Sequence, residues 1–534
     1  MSEDSGRENT LRRRDFLVAG AAAGAAVAVP PLINHGAIAR AAKTPIAKGG
    51  KFMHGVSAGF PTDKAVTLWT RVSGLDRTSR LTLEIATDKN FKRVVKSSEV
   101  KAQKNQDFTV HERVGGLKAH REYFYRFETK NKTSRVGKFR TMPPPDSKTP
   151  IKIAFLSCQD WEAGYYNTQA ALAKEDLDLF LFLGDYVYEH RYYPGPADRL
   201  DTLGANGDGD VQTLDEYRAK YRQGQEDPGL QALQAAHAFV GVWDDHEVED
   251  NYAGSQPDSA STDPEHLEND NHTPRRVPYL ERRKNGYKAY FESMPRIRYK
   301  GDKNRIYGQV RLGGLAELFL TDQRQYRDLQ PCDDKLLAAC ADSDNPARTM
   351  LGAEQKKWFK KAVPASDARW KLWGSELMLM SLDLPKYTHV NQDAWDGYGA
   401  ERREILEHFQ REGVKNLATL VGDIHTFFAG NLTTNGEDTG SPVGVEFVGG
   451  SATSLGIPEA LKVDPSLLEA VGPAANPHIK FFDVRNRGCA IATVSKNELT
   501  VEYRTCDALT RGAKPVTSAK FQVASGVPEL NVVS

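Results

Sequence analysis

The stretch that decides the fold is IKIAFLSCQDWEAGYYNTQAALAKEDLDLFLFLGDYVYE, residues 151–189. It predicts an apolar strand over 151–156, an amphipathic helix over 167–175 and a second apolar strand over 177–183. Strand, helix and strand within about thirty residues form a βαβ unit with buried parallel strands. Both strands end on polar residues, and ligand sites in open α/β sheets lie at such carboxyl ends.

Further strand-like runs along the chain also end on polar residues. We predict strands over 238–243, 318–320, 371–373 and 417–421. Five strand ends carry groups that bind metals or anions: Ser157-Cys158-Gln159-Asp160; Gly184-Asp185-Tyr186-Val187-Tyr188-Glu189; Asp244-Asp245-His246-Glu247 with Asn251 just beyond; Asp322, Arg324 and Arg327; and Gly422-Asp423-Ile424-His425. Each motif alone is more often a turn or a helix start. Together, in order and at strand ends, they predict one functional site.

The residue types at these ends indicate a cluster of two or more metal ions. Asp185 can bridge two cations with its two oxygens. Cys158 and Tyr188 are soft or charge-transfer donors, which suit iron better than magnesium. Asp245 and Asp423 are hard oxygen donors, which suit calcium, manganese or magnesium. Two cations a few ångströms apart form a clamp for in-line displacement at phosphorus.

The flanking sequence predicts the domain organisation. Residues 43–142 alternate apolar and polar positions between short Gly, Asp and Asn clusters, which is typical of a small antiparallel β-sandwich. A proline-rich linker follows over 143–150, because consecutive prolines favour a stiff extended connector. Residues 151–534 then form the catalytic domain with C-terminal β segments.

The first 42 residues indicate a targeting segment. Arg12-Arg13-Arg14 precedes an apolar stretch from Val18 to Val29, and small residues near 37–41 offer cleavage sites. This order resembles a twin-arginine signal, which exports folded proteins, so the translocase is an expected partner. The alternative is a frayed N-terminal helix. We expect export to the periplasm, the cell wall or the medium, and no membrane span in the mature chain.

Composition excludes several function classes. The 534 residues carry 71 basic and 71 acidic side chains, and 40% are hydrophobic. Such a chain is not disordered, and its zero formal charge gives no support to nucleic-acid binding. Five cysteines are too few for a disulfide scaffold. Cys332 with Cys340, or Cys489 with Cys506, could form a disulfide after export. Other pairings stay open.

The motif set resembles that of the PhoD-type alkaline phosphatases in the calcineurin-like metallophosphoesterase superfamily. The matching pieces are Ser157-Cys158-Gln159, Gly184 to Glu189, Trp243 to Val248, Asp322 to Arg327, Asp396-Gly397-Tyr398, Gly422 to His425 and Arg485 to Gly488. The resemblance implies a four-layer αββα sandwich behind an N-terminal β domain. It also implies an exported phosphomonoesterase or phosphodiesterase that holds one Fe³⁺ and one or two Ca²⁺ ions.

The resemblance also implies roles for individual metal ligands. Cys158, Tyr188 and His425 resemble iron ligands, and Asp185 resembles the bridging carboxylate. Asp245 and Asp423 stand where the wider superfamily has Asn and His, respectively. Both departures favour calcium over zinc. Asn251 is a further ligand or a neighbour of one.

Three residues are the candidates for the reaction itself. His246 resembles the histidine that protonates the leaving group or binds phosphate. Arg324 and Arg327 are candidate phosphate contacts, because a guanidinium matches phosphate oxygens bidentately. The alternative for both arginines is a solvent-facing place on a turn.

The leading hypothesis is an exported metal-dependent phosphoric ester hydrolase. A metal-held hydroxide or oxide would attack phosphorus in line, and no covalent phospho-enzyme is required. One alternative is a phosphodiesterase of the phospholipase D type from the same family. Another is a non-catalytic envelope protein that binds phosphate or cations.

Overall fold

The computed structural model describes residues 44–192, 195–257, 275–334, 340–384 and 389–534. The predicted signal peptide, residues 1–42, lies outside these ranges, so export stays a prediction. Within the described ranges, no helix is both long and apolar enough to cross a bilayer.

An all-β N-terminal region precedes the part of the chain in which strands and α-helices are mixed. The strands in the described residues are β1 (Val56–Gly59), β2 (Val66–Arg71), β3 (Ser79–Ala86), β4 (Val94–Ala102), β5 (Thr109–Val114), β6 (Glu122–Glu128), β7 (Gly137–Arg140), β8 (Ile151–Leu156), β9 (Leu179–Leu183), β10 (Ala238–Val242), β11 (Gly308–Leu312), β12 (Ala316–Leu320), β13 (Trp370–Ser375), β14 (Leu417–Val421), β15 (Phe427–Thr433), β16 (Pro442–Gly449), β17 (Ile479–Asp483), β18 (Gly488–Val494), β19 (Glu498–Thr505), β20 (Val516–Ala524) and β21 (Asn531–Val532). The α-helices there are α1 (Asn167–Leu172), α2 (Leu214–Gln225), α3 (Pro228–Ala236), α4 (Tyr279–Ser293), α5 (Ala353–Ala365), α6 (Gly399–Arg411), α7 (Ile457–Leu461) and α8 (Pro465–Ala475).

Two large sheets hold the parallel strands. In the first sheet the order is β21-β20-β19-β18-β8-β9-β10-β1-β2-β5, and β8, β9 and β10 run parallel. In the second sheet the order is β11-β12-β13-β14-β16-β15-β17, and β12, β13, β14 and β16 run parallel. The βαβ unit predicted from residues 151–183 is therefore present at the centre of the first sheet.

The two sheets pack face to face between helices. Phe447 on β16 and Phe481 on β17 contact Phe521 on β20, with ring centroids 5.8 and 5.4 Å apart. Helix α3 covers the outer face of the first sheet along β1 and β10. On the second sheet, Phe359 of α5 packs against Trp373 of β13 at 4.6 Å. The four predicted layers, helix–sheet–sheet–helix, are confirmed.

The N-terminal region is all-β, as predicted from its alternation, apart from one 3₁₀ turn over Lys104–Gln106. Strands β4, β3, β6 and β7 form a separate antiparallel sheet in that order. In contrast, β1 pairs in parallel with β10, so β1, β2 and β5 extend the first large sheet. The domain boundary at the proline-rich linker stays a prediction.

The structure contains one of the two disulfide bonds considered from the sequence. Cys332 and Cys340 form a disulfide. Cys489 and Cys506 are buried free thiols, and so is Cys158. Cys158 is therefore available as a ligand.

Candidate metal centre

The metal-type ligands come together where the carboxyl ends of the parallel strands of both sheets meet. Strands β8, β9 and β10 supply Cys158, Asp185 and the Asp244-Asp245-His246 run, while β14 supplies Asp423 and His425. Buried apolar strands fix the backbone up to the last strand residue, and the ligand atoms of the polar residues after them lie close together. The site thus forms between the sheets, as the strand-end argument predicts.

The first ligand group contains the residues predicted to bind iron. Cys158 Sγ, a carboxylate oxygen of Asp185 and a ring nitrogen of His425 lie within 4.8 Å of one another. The Tyr188 hydroxyl lies 3.1 Å from both Asp185 Oδ2 and His425 Nε2. Ser454 donates a hydrogen bond to that hydroxyl oxygen at 2.7 Å. This contact helps to hold the Tyr188 hydroxyl beside Cys158, Asp185 and His425.

The imidazole of His425 is oriented for ligation. Its Nδ1 lies 2.5 Å from the backbone carbonyl oxygen of Leu455. Only a protonated Nδ1 can donate to a carbonyl, so the lone pair is on Nε2, facing Asp185 and Tyr188. Burial lowers the pKa of His425 to about 4, which keeps the ring neutral and able to bind a cation.

Two further groups of oxygen and nitrogen atoms adjoin the first. Asp185, Asp245 and His246 bring ligand atoms within 4.8 Å of one another, and so do Asp244, Asp245 and Asp423. Asp185 therefore belongs to two groups, and Asp245 joins the second group to the third. This sharing is the arrangement expected of a bridging carboxylate between neighbouring cations.

Arg324 lies inside the carboxylate cluster rather than at its mouth. Its guanidinium is fully buried and hydrogen-bonds Asp244, Asp393 at 2.6 Å and Asp423 at 3.1 Å, with Asp245 at 3.4 Å. Burial raises the pKa of Asp423 to about 7 even with this guanidinium beside it. One arginine therefore offsets only part of the negative charge.

Arg327 is equally enclosed. Its guanidinium donates to Asp393 Oδ1 at 2.6 Å and to the backbone carbonyl oxygens of Asn251, Tyr252 and Asp393. The packing does not support the predicted contact of Arg324 and Arg327 with substrate phosphate, because both groups are buried and use their donors on the protein. The predicted solvent-facing alternative fails for the same reason.

His246 pairs with a carboxylate that the sequence prediction had left without a role. Its Nδ1 lies 2.8 Å from Glu189 Oε2, and its ring lies against Tyr188 and Tyr192 at centroid distances of 4.1 and 4.8 Å. Burial disfavours the charged ring, but Asp245, Asp185 and Glu189 outweigh it and raise the pKa of His246 well above its usual value. The imidazolium is therefore the favoured form.

Asn251 lies beside the oxygen cluster. Its backbone N–H donates to Asp245 Oδ2 at 2.7 Å, and its side-chain amide donates to Asp334 Oδ2 at 2.9 Å. The structure thus places Asn251 next to a candidate ligand. Whether its side-chain oxygen binds a metal stays a prediction.

Five of the site residues have a strained backbone conformation. Cys158, Asp185, Asn251, Asp423 and His425 all have positive φ angles, between 50° and 65°, although none is glycine. Such conformations cost about 1–3 kcal/mol each and persist where the surrounding structure enforces them, often at functional sites. Half of the ten predicted site residues adopt this backbone.

The cluster fits cations by its unmet bonding capacity. Asp185 Oδ1 and Asp244 Oδ2 are buried and have no hydrogen-bond partner in the described residues. Burial raises the pKa of Asp185 well above its ordinary value. Burial and Asp185 also raise the pKa of the Cys158 thiol. A bound cation would reverse both effects, because it stabilises carboxylate and thiolate directly.

Several contributing residues have no role in the sequence prediction. Glu247 accepts the backbone N–H groups of Asp185, Tyr186 and Asp244, which fixes the turns after β9 and β10. Asp393 accepts hydrogen bonds from both Arg324 and Arg327. In the sequence, only its closeness to the Asp396-Gly397-Tyr398 motif could have indicated a role. Ser454 carries no sequence signal at all.

This chain is similar in sequence to known phosphatases. The profile of the PhoD-like phosphatase family matches residues 153–503, and that of the PhoD-like phosphatase N-terminal domain matches residues 38–143. Alkaline phosphatase D of Bacillus subtilis strain 168 is 33% identical over 546 residues, which cover 98% of this chain and 89% of that protein.

Two solved structures resemble the fold. The structure of PhoD superposes with a TM-score of 0.79 at 30% identity, covering 92% of this chain and 94% of that one. A purple acid phosphatase from yellow lupin seeds superposes with a TM-score of 0.53 at 12% identity, covering 88% of this chain and 73% of the other. The second likeness concerns the fold alone.

Proposed function

The chain belongs to the PhoD-like phosphatase family and is a phosphoric ester hydrolase, and we propose that it acts as an exported enzyme with an iron and calcium centre. The observation that carries the metal proposal is the set of three adjoining ligand groups that share Asp185 and Asp245. A phosphate ester is the substrate, since phosphatase relatives cover the whole catalytic region.

Iron is proposed for the group around Cys158. Thiolate, phenolate, imidazole and carboxylate from Cys158, Tyr188, His425 and Asp185 form a soft, charge-transfer donor set. Only one such set exists among the described residues within this cluster, so one Fe³⁺ is expected.

Calcium is proposed for the oxygen-rich side. Asp185, Asp245 and Asp423 would hold it, with Asn251 as a further oxygen donor. Carboxylates with flexible spacing suit a large hard cation, and their excess negative charge leaves room for one or two such ions.

The residues divide the reaction between them. When bound, the metal ions activate the attacking water and offset charge on the phosphoryl oxygens. His246 uses Nδ1 to hold Glu189, so its Nε2–H is the donor that can protonate the departing oxygen. Because Arg324 and Arg327 are buried against Asp393, we assign them to positioning the carboxylates.

One experiment tests this division. His246→Ala should keep its metals but lose about 10² to 10⁴ in rate on alkyl phosphates, because an alkoxide needs its proton. The loss on p-nitrophenyl phosphate should be much smaller, since nitrophenolate leaves unprotonated. Asp185→Asn is the matched variant, and it should lose metal as well as turnover.

Two outcomes would contradict the assignment. Equal losses on both ester types would remove His246 from the leaving-group step. Metal loss in His246→Ala equal to that in Asp185→Asn would make His246 a ligand. Metal quantification of each purified variant, with a panel of mono- and diesters, separates these cases and sets the preferred ester class.

A further inference from the structure

A basic groove lies outside the metal centre. Its walls are β4 and β5, helix α4 and the loop over residues 296–304, which together enclose 1030 Å³. A second hollow of 410 Å³ continues it on the far side of Arg296–Arg298. We propose that this basic groove binds a flexible linear phosphate polymer.

Charge is the first observation that carries the proposal. The groove and its continuation are lined by ten basic and three acidic side chains, although the whole chain has 71 of each sign. A concentrated positive groove on a neutral protein attracts polyanions locally.

The acidic side chains of the lining reduce this excess of positive charge only slightly. Glu292 pairs with Arg218 and Lys288, both at 2.7 Å, and Glu99 pairs with Arg80. These two carboxylates are therefore already neutralised. Of the three acids, Glu112 alone has no ion-pair partner in the part of the chain that the structure describes.

Apart from Lys288, which pairs with Glu292, the lining lysines have no neutralising carboxylate among the described residues. Lys101, Lys284, Lys300 and Lys303 are exposed, and none pairs with a carboxylate among the described residues. Arg298 is exposed as well and lies over the Phe291 ring at 4.1 Å. Five exposed cations along one groove match repeated phosphate charges better than a single anion.

The aromatic rings of the groove argue against nucleic acid. Tyr287 is stacked on Trp243 at 4.2 Å and has Arg283 5.6 Å from its centroid. Arg298 covers Phe291, and Arg305 covers Tyr299 at 4.7 Å. Single-stranded nucleic acids bind by stacking bases on free aromatic faces. The exposed apolar side chains here include the aliphatic Leu280 and Ile297, and the exposed ring of Tyr299 is the one that Arg305 covers.

The groove lies close to the metal centre without entering it. Helix α4 lines the groove with Tyr287, which packs on Trp243, the residue before Asp244. One helix therefore contacts both the groove and the residue that precedes the metal-ligand run. The groove would hold polymeric phosphate near the metal centre. The hydrolysis of small esters would not depend on it.

The test measures binding of end-labelled inorganic polyphosphate to the full metal-loaded protein by fluorescence anisotropy. Saturating inorganic phosphate is present to occupy the metal centre. The salt dependence should have a slope of about −3.5 for five phosphate contacts. Lys284→Glu with Lys303→Glu should weaken binding about tenfold or more and flatten the slope. Hydrolysis of p-nitrophenyl phosphate should stay unchanged.

The matched control is Lys496→Glu with Lys514→Glu, two exposed lysines outside the groove, which should bind as the unmodified protein does. Wild-type affinity in the groove variant, or an equal loss in the control, would overturn the proposal. So would tighter binding of an oligonucleotide of equal charge, which would indicate nucleic acid. Binding of anionic vesicles without binding of polyphosphate would indicate a lipid surface and overturn it too.

Discussion

Glu189→Gln removes one negative charge from beneath His246 and leaves the side-chain volume unchanged. Glu189 is buried and accepts hydrogen bonds from His246 Nδ1 at 2.8 Å, from the Tyr192 hydroxyl at 2.7 Å and from the Asp250 backbone at 2.9 Å. A glutamine keeps one oxygen acceptor, but it loses the charge and replaces the second acceptor with an NH2 group. The change therefore removes the charge together with one of the two accepting atoms.

The expected size follows from the geometry. Two charges 2.8 Å apart attract by about 6 kcal/mol at an effective dielectric constant of 20. Removing one partner of a buried pair typically costs about 3–5 kcal/mol. His246 keeps the ionised Asp245 as a neighbouring charge, so we expect the lower end, about 3 kcal/mol of unfolding free energy. For an alkyl phosphate, kcat/KM should fall by about 10² to 10³.

A double-mutant cycle with His246→Ala is the assay. If Glu189 acts through His246, Glu189→Gln should cost almost nothing in the His246→Ala background. Glu401→Gln is the control, because Glu401 is also buried and paired, with Lys356 at 3.2 Å, but on α6 away from the centre. It should lower stability and leave the ratio of alkyl to nitrophenyl rates unchanged.

The reasoning would be refuted by an undiminished effect of Glu189→Gln in the His246→Ala background. Loss of metal from Glu189→Gln would refute it as well, since Glu189 would then support the ligands directly. Metal content and chemical denaturation must therefore be measured on all four proteins of the cycle.

Four further predictions follow from the centre and the leader. The purified protein should hold about one iron per chain and absorb visible light, and Tyr188→Phe should bleach or shift the band; colourless, fully active protein would exclude iron. Chelation should abolish activity and Ca²⁺ should restore it, whereas restoration by Zn²⁺ alone would contradict the oxygen-donor argument. Arg324→Met should destabilise the metal-free protein by about 3–5 kcal/mol in denaturant titrations, with Ca²⁺ recovering part of the loss; equal stability would show that the carboxylates need no buried cation. Arg13→Lys with Arg14→Lys should retain the precursor in the cytoplasm, and unchanged export in cell fractionation would point to the general secretory pathway.

Strand ends were predictable from the sequence because burial leaves a simple pattern. The runs over 151–156 and 417–421 coincide with β8 and β14. A parallel strand covered on both faces must be apolar throughout, so the first polar residue after it marks the sheet edge. The helix predicted over 167–175 ends earlier, at Leu172, because residues 173–175 form the turn that enters β9.

The partners within the site were not predictable in the same way. Glu189 and His246 are 57 residues apart, and Arg324 and Asp393 are 69 apart. Such pairs depend on how two sheets and their loops pack, which no local period encodes. A guanidinium after a strand is equally compatible with a phosphate contact, a surface turn or a buried counterion. Only the four carboxylates that surround Arg324 in the structure identify it as a buried counterion.

The buried carboxylates of the metal centre bear on the predicted route of export. Burial raises the pKa values of Asp185, Asp244 and Asp423, so the folded chain without metal carries carboxylates that resist ionisation. Cations that bind only the folded state would relieve this penalty and stabilise the fold by mass action. A chain exported unfolded would have to acquire iron and calcium afterwards. A chain exported folded, as the twin-arginine prediction requires, can leave the cytoplasm with its iron ligands already assembled. Export route and iron content should therefore change together when Arg13 and Arg14 are replaced by lysine and the protein is forced through a general secretory signal.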